Sequence, residues 1–312
     1  MRFIDFHCDT VDQLISHEGS SLFRNDFSVD IEKLKKGESK GQFFALFIQK
    51  DKHHSVYDRC QSMHQKLMYE LKNNEQYISF AASYKDFKQN EKDGKISAFI
   101  SIEEGGAIEG SIDKLEEFYN KGVRLITLTW NFENELGYPN AIRGFMDKGL
   151  KSFGIESVTR MNELGMIIDV SHLSDGGFWD VVKYSQAPFV ASHSNARSVK
   201  LHPRNLTDDM IKALSDKGGI MGLNFCSAFL GTSTVAKLDD MTLHLKHIRD
   251  VGGIDVIALG SDFDGIGNKV EINDCSEMGK LSDVLLKEGF SYDEVEKIFY
   301  KNAERVIKDV LK

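Results

Sequence analysis

Proline is scarce in this chain, with three among 312 residues. No serine- or glycine-rich tract and no low-complexity segment interrupts it either. Linkers between domains draw on such stretches, so residues 1–312 read as a single domain. Cysteine is equally sparse. Cys8, Cys60, Cys226 and Cys275 have no close spacing, which excludes a disulfide scaffold and a CxxC zinc knuckle. Basic charge is in deficit, the formal net charge being −9 with lysines and arginines scattered. Phosphate binding needs a basic face, so nucleic acid is not an expected partner. No run approaches the roughly 18 apolar residues of a membrane span. The opening MRFIDFHCDT places acids and a histidine where a secretion signal needs an unbroken apolar core. A cytoplasmic protein with no membrane partner is the expectation.

What is present is a rhythm. Short β-rich runs recur at 3–7 (FIDFH), 41–49, 96–103 (ISAFISIE), 123–130 (VRLITLTW), 166–172 (MIIDVSH), 188–194 (PFVASHS), 220–225 and 256–263 (VIALGSDF). Most are nearly continuous apolar runs, the pattern of parallel strands buried on both faces. Helical periodicity falls between them, at 57–75, 113–121, 150–164, 176–185, 207–217 and 238–251. A final helix opens on Ser291 and Glu294, a capping box. Strands alternating with helices form right-handed βαβ units. Eight of them predict a closed (β/α)8 TIM-like barrel, for which this length is normal. An open doubly wound sheet is the competing architecture, but no GxGxxG follows the first run.

In such barrels the site lies at the C-terminal ends of the strands. There the sequence places His7 and Asp9, Glu103, Trp130, His172, His193 and Asp262. A buried barrel mouth gathers imidazoles and acids at high electrostatic cost unless a cation neutralises them. Each alone has an ordinary reading, since a lone HxD arises by chance and His172 or His193 alone suits a satisfied core histidine. Their joint confinement to one end of the strands points to a mixed N/O site for zinc or a similar divalent ion. Five ligands exceed what one ion uses, and two ions sharing a carboxylate account for the excess. Asp5, deeper on the first run, is the expected partner of a ligating imidazole. His17, His53, His54, His64, His244 and His247 fall outside strand ends and read as surface or helix residues.

The ordered set DFHCD (5–9), KISAFISIEEGG (95–106), DVSHLS (169–174), ASHSNARSVKLHPRN (191–205) and GSDFDG (260–265) resembles the membrane (renal) dipeptidase family of zinc peptidases, amidohydrolase-type metal barrels, over nearly the whole chain. The resemblance implies a dinuclear zinc dipeptidase that cleaves dipeptides by a metal-bridging hydroxide. His7 and Asp9 would bind one zinc, His172 and His193 the other, and Glu103 both. Glu103 and Glu104 compete for the bridging place, and the ungapped register of KISAFISIE favours Glu103. Asp262 matches a proton shuttle. Arg204 matches an arginine that grips the substrate's carboxylate, a task suited to its planar fork, although by itself it would read as a surface ion pair. The likeness departs at LTLTWN, where mammalian-type members carry a histidine that polarises the substrate carbonyl. Trp130 stands there and donates only one N–H, so that work would pass to the metals or to Asn131. The mammalian secretion signal and lipid-anchor tail are also missing, as for a cytoplasmic relative. A homodimer is the assembly the family implies.

Two rivals remain at this level. One is another hydrolase on the same barrel, acting on a cyclic amide, lactone or phosphoester, since fold alone does not separate these. Arg204 and the HxD-to-Glu103 set favour the dipeptidase. The other is a non-catalytic metal-binding protein, against which Asp262 stands. The segment 50–95 has no role assigned, a lid and a dimer surface both being open.

Overall fold

The computed structural model describes residues 1–311. Eight parallel strands close a barrel: β1 (Phe3–Cys8), β2 (Ser39–Phe47), β3 (Ile96–Glu103), β4 (Val123–Thr127), β5 (Ile167–Asp169), β6 (Val190–Ala191), β7 (Ile220–Leu223) and β8 (Ile257–Leu259). Their order runs β2-β1-β8-β7-β6-β5-β4-β3, and β2 pairs back with β3 to complete the ring. That closing ladder holds one register from Gly41 opposite Ser97 to Phe47 opposite Glu103. The expected barrel is therefore the observed one, and all eight runs contribute a strand.

The strands are apolar because helices cover them outside and side chains fill them inside. Every residue of β1 and of β3 is buried. Phe6, Phe43 and Phe99 stack across β1, β2 and β3 with ring centroids 4.4 and 4.6 Å apart. Several of the helices start where a hydroxyl meets a free amide of the first turn. Ser55, Ser83, Ser111, Ser174 and Thr207 each accept from a backbone N–H three residues on, a contact typically worth about 1 kcal/mol. The capping box of Ser291 and Glu294 is present. The helix it opens is not uniform, because a π turn at Lys297–Lys301 separates Tyr292–Glu296 from Asn302–Val310. The Asn302 side chain donates there to the carbonyls of Ile254 and Ile257.

Differences from the sequence reading are local. Short helices at Thr10–Ser16, Ile31–Lys36, Tyr84–Lys92 and Gly279–Lys287 escaped it, since two turns give too few apolar repeats to establish a period. The segment 50–95 carries the helix Val56–Asn73, an extra strand Ile78–Phe80 and the helix Tyr84–Lys92. That strand pairs with the first half of β3, below the stretch where β4 joins, which lays the segment on the barrel's flank. β5 and β6 are shorter than their apolar runs, so His172 and His193 lie in the turns just past the strands rather than at their last residues.

Close strand approach at the mouth needs glycine at one position above all. A Cβ on Gly260 would stand 1.8 Å from the Ser192 carbonyl oxygen. Any side chain there would push β8 away from β6 and β7 and displace the residues that follow each strand.

Candidate metal centre

β1 delivers His7 and, one residue past its end, Asp9. β3 delivers Glu103, and the turns after β5, β6 and β8 deliver His172, His193 and Asp262. All but Asp262 are below a tenth exposed. Their donor atoms converge on Glu103. His7 Nε2 lies 3.1 Å from Oε2, while His172 Nε2 and His193 Nε2 lie 3.0 and 3.4 Å from Oε1. Asp9 Oδ2 is 3.5 Å and Asp262 Oδ1 3.9 Å from His7 Nε2. Two groups of three bring donor atoms within 4.8 Å of one another, His7–Glu103–His193 and His7–Asp9–Asp262. Of the two adjacent glutamates, Glu103 is the one that faces the imidazoles. Glu104 is buried outside the cluster and accepts from the backbone N–H groups of Gly106 and Trp130 and from the Asn134 amide.

Two of the imidazoles have their tautomers set by neighbours. His172 Nδ1 is 3.0 Å from the Asn131 Oδ1 oxygen, which only accepts, so Nδ1 carries the proton. Ser192 gives its hydroxyl proton to Asp169 at 2.6 Å and receives that of His193 Nδ1 at 2.7 Å. Both Nε2 atoms are then bare lone pairs. They stand 3.0 Å apart, facing the same carboxylate oxygen. Asp169 in turn accepts from Thr127 Oγ1, Ser171 N and Ser192 N. Asp5 builds the matching anchor under His7, accepting from Ser261 N, Ser261 Oγ and Gln42 Nε2. This corrects the role expected for it. Asp5 ties β1 to β8 and β2, and neither ring nitrogen of His7 has a hydrogen-bond partner.

Burial governs the electrostatics. It pushes Asp9 up to about 8 and Asp262 up to about 6, despite the pull of His7. It brings His172 down to about 4, with Arg204 adding to the effect, and lowers His193 well below the usual imidazole value. Burial opposes charge on His7 and Glu103 as well, but their mutual attraction wins, so His7 rises and Glu103 falls. Without a cation, acids and imidazoles crowd a buried site at electrostatic cost, and Asp9 Oδ1 is a buried acceptor with no partner. The donor set, three imidazole nitrogens with carboxylate oxygens, suits a borderline divalent metal. Gly265 keeps the space between the acids open, since a Cβ there would stand 1.9 Å from Asp9 Oδ2 and 2.8 Å from Asp262 Oδ1. His172 and Asp262 hold φ angles of 67° and 62°, a strained region that clusters at functional sites.

The remaining expected residues frame the cluster. Arg204 is 5% exposed and reaches the His193 carbonyl at 3.2 Å and Ser194 Oγ at 3.4 Å. Its Nε has no partner, and no carboxylate pairs with it among the described residues. Trp130 stands beside Phe47 and Phe132 with its ring 6.2 Å from that of His172. Asn131 is an orienting contact of His172, as above. His244, placed by its sequence position among surface or helix residues, is on a helix but fully buried. It accepts from Ala196 N and meets the Leu230 carbonyl, bracing the loop between His193 and Arg204. The sequence reading missed Asp169, Ser192 and Asn224. The first two lie inside the motifs DVSH and ASHS, and a polar residue shortly before each histidine was the signal available.

Fold and donor set together define a metal-dependent hydrolase barrel. The sequence model of the membrane dipeptidase family (peptidase family M19) matches residues 1–312, and the chain belongs to that family of metallo-dipeptidases. It is 35% identical over 241 residues to an uncharacterized protein in the pqqA 5' region of Klebsiella pneumoniae, covering 75% of this chain and 89% of that protein. It is 32% identical over 255 residues to an uncharacterized dipeptidase of Schizosaccharomyces pombe, covering 76% of this chain and 61% of the other. A metallo peptidase from Rhodobacter sphaeroides, solved with a phosphinate mimic of the dipeptide L-Ala-D-Ala, shares the fold at a TM-score of 0.92 with 23% identity over 99% of both chains. The probable dipeptidase PvdM of Pseudomonas aeruginosa does so at 0.89 with 21% identity, over all of this chain and 96% of the other. No helix of the described residues is long and apolar enough to cross a membrane.

Proposed function

We propose that residues 1–312 work as one hydrolase domain, a dipeptidase with two zinc ions held by His7, Asp9, Glu103, His172 and His193. The observation that carries this reading is the convergence of two bare Nε2 lone pairs on Glu103 Oε1, at 3.0 and 3.4 Å. Lone pairs that close repel unless a cation lies among them. Glu103 faces the paired imidazoles with one oxygen and His7 with the other, the disposition a shared carboxylate needs. Divalent ions in such a place lower the pKa of coordinated water toward neutrality and polarise a carbonyl.

The chain's own residues do the rest. Arg204, buried and lacking an acidic partner, receives the C-terminal carboxylate of the substrate by its planar fork. That anchor limits the substrate to a free carboxylate one residue from the cleaved bond, hence a dipeptide. Asp262 is the more exposed acid of the cluster, its side chain 14% accessible against 3% for Glu103. It takes a proton from the attacking water and returns it to the leaving amine. Asn131 keeps the His172 ring turned toward Glu103, and Trp130 lines the substrate side of that ring. A homodimer and a cytoplasmic location complete the reading. The test is a panel of L-L and L-D dipeptides assayed with added zinc and with a chelator. Hydrolysis that needs zinc and a free C-terminal carboxylate is expected, whereas a chelator-resistant activity, or none on any dipeptide, would overturn the proposal.

A further inference from the structure

We infer that Asn224 is a positioning residue for Asp262, a part that neither the ligand motifs nor the family resemblance assigns to it. The inference rests on Asp262 being the proton carrier proposed above. Asn224 follows β7 and is fully buried. Its backbone is clamped as if by another strand, because Asn195 Oδ1 accepts from Asn224 N and Asn195 Nδ2 donates to Asn224 O, both at 2.9 Å. Its side chain has one available orientation. Oδ1 accepts from Cys226 N at 2.6 Å, which turns Nδ2 toward the cluster.

Nδ2 donates to Asp262 Oδ2 at 2.9 Å and reaches the His193 carbonyl at 3.3 Å. The same carbonyl receives Arg204, so Asn224 joins the proton carrier to the carboxylate grip through one peptide oxygen. The consequence for Asp262 is a division of labour between its oxygens. Oδ2 is occupied by the amide, and Oδ1 is the oxygen turned to the cluster, 3.9 Å from His7 Nε2. Asp262 also sits at φ 62°, a conformation that residues with a side chain rarely adopt. The Asn224 contact is one of those that keep the carboxylate from rotating out of line.

Loss of an orienting contact near the chemistry costs on the order of a hundredfold in rate when it displaces a reacting group by about 1 Å. Replacement of Asn224 by Ala should lower kcat by about 10- to 100-fold with KM within about twofold. Bound metal per chain and thermal midpoint are measured alongside. Asn224→Asp, which keeps the acceptor for Cys226 N but loses the donor, is the second variant, needed if the alanine form does not fold. The decisive comparison uses Asp262→Asn. A group that acts only through Asp262 adds no further loss of kcat in that background, whereas a merely structural one multiplies. Full kcat in both Asn224 variants, or an undiminished loss in the double variant, would overturn the inference. A wild-type rate for Asp262→Asn alone would instead remove the proton-carrier reading, a result distinct from either.

Discussion

The cluster has two unlike halves. Around His172 and His193 every outward ring nitrogen is tied, to Asn131 and to the Ser192–Asp169 pair. Around His7 and Asp9 neither imidazole nitrogen nor Asp9 Oδ1 has a partner. Both halves stand on a buried aspartate that grips the next strand's serine by its backbone and hydroxyl, Asp169 on Ser192 and Asp5 on Ser261. Only on the Asp169 side does that grip extend to a ligand ring. The difference teaches that the polypeptide orients one half, while on the proposed reading the other would be oriented by the ion it holds. Pre-set donors lose less freedom on binding, so the His172–His193 half should hold its ion more tightly.

The largest effect should come from the residue both halves share. Glu103→Gln removes the charge that faces three imidazoles, and kcat/KM should fall by at least about a thousandfold, with metal lost from both halves. Retention of two ions per chain by that variant would break the account of a shared carboxylate. Next in size is Asp262→Asn, expected to lose about a hundredfold or more in kcat while metal analysis finds the ions still bound.

The comparison itself is sharpened by cutting each anchor. Ser192→Ala frees the His193 ring, and zinc affinity should weaken by about 10- to 100-fold. Asp5→Asn cuts no ring contact. It should cost about 1–3 kcal/mol of folding stability, read by denaturant unfolding, with zinc affinity far less changed. Equal effects of the two variants on affinity would erase the distinction between the halves.

The smallest prediction lies at the other end of the barrel, away from the cluster. Lys40 is buried and reaches Glu91 and Glu304, both at 2.9 Å. Burial would raise Glu304, but Lys40 and Lys88 outweigh it and hold its pKa below the ordinary glutamate value. A carboxylate depressed in the folded state contributes stability above its unfolded pKa and loses that contribution as pH falls through the folded one. Lys40→Met should therefore destabilise by about 1–2 kcal/mol at neutral pH. The gap to the parent should close as pH drops below roughly 4. A gap that stays constant between those conditions would show that packing, not charge, accounts for the loss.

Much of this was legible before the structure, and the reason is geometric. Strands buried on both faces are written as unbroken apolar runs, so ISAFISIE and VRLITLTW announce themselves. Polar residues at the ends of such runs stand out against them, which is how His7, Glu103 and Asp262 surfaced together. What stayed hidden was of two kinds. Helices of two turns, such as Ile31–Lys36, carry too little pattern to see. Contacts between residues far apart in sequence have no local signature, and the bond from Asn224 to Asp262 spans 38 positions. Asp5 was misjudged for a related reason. Its distance from His7 along the strand was plain, but the Ser261 hydroxyl that claims it belongs to a strand 256 residues away.

The most direct test is an anomalous-scattering map at the zinc edge from crystals of the zinc-loaded protein. Two peaks flanking the Glu103 carboxylate, one among His172 and His193 and the other beside His7 and Asp9, are the predicted result. A lone peak, or peaks that avoid Glu103, would contradict the claim that this carboxylate joins two unlike metal sites.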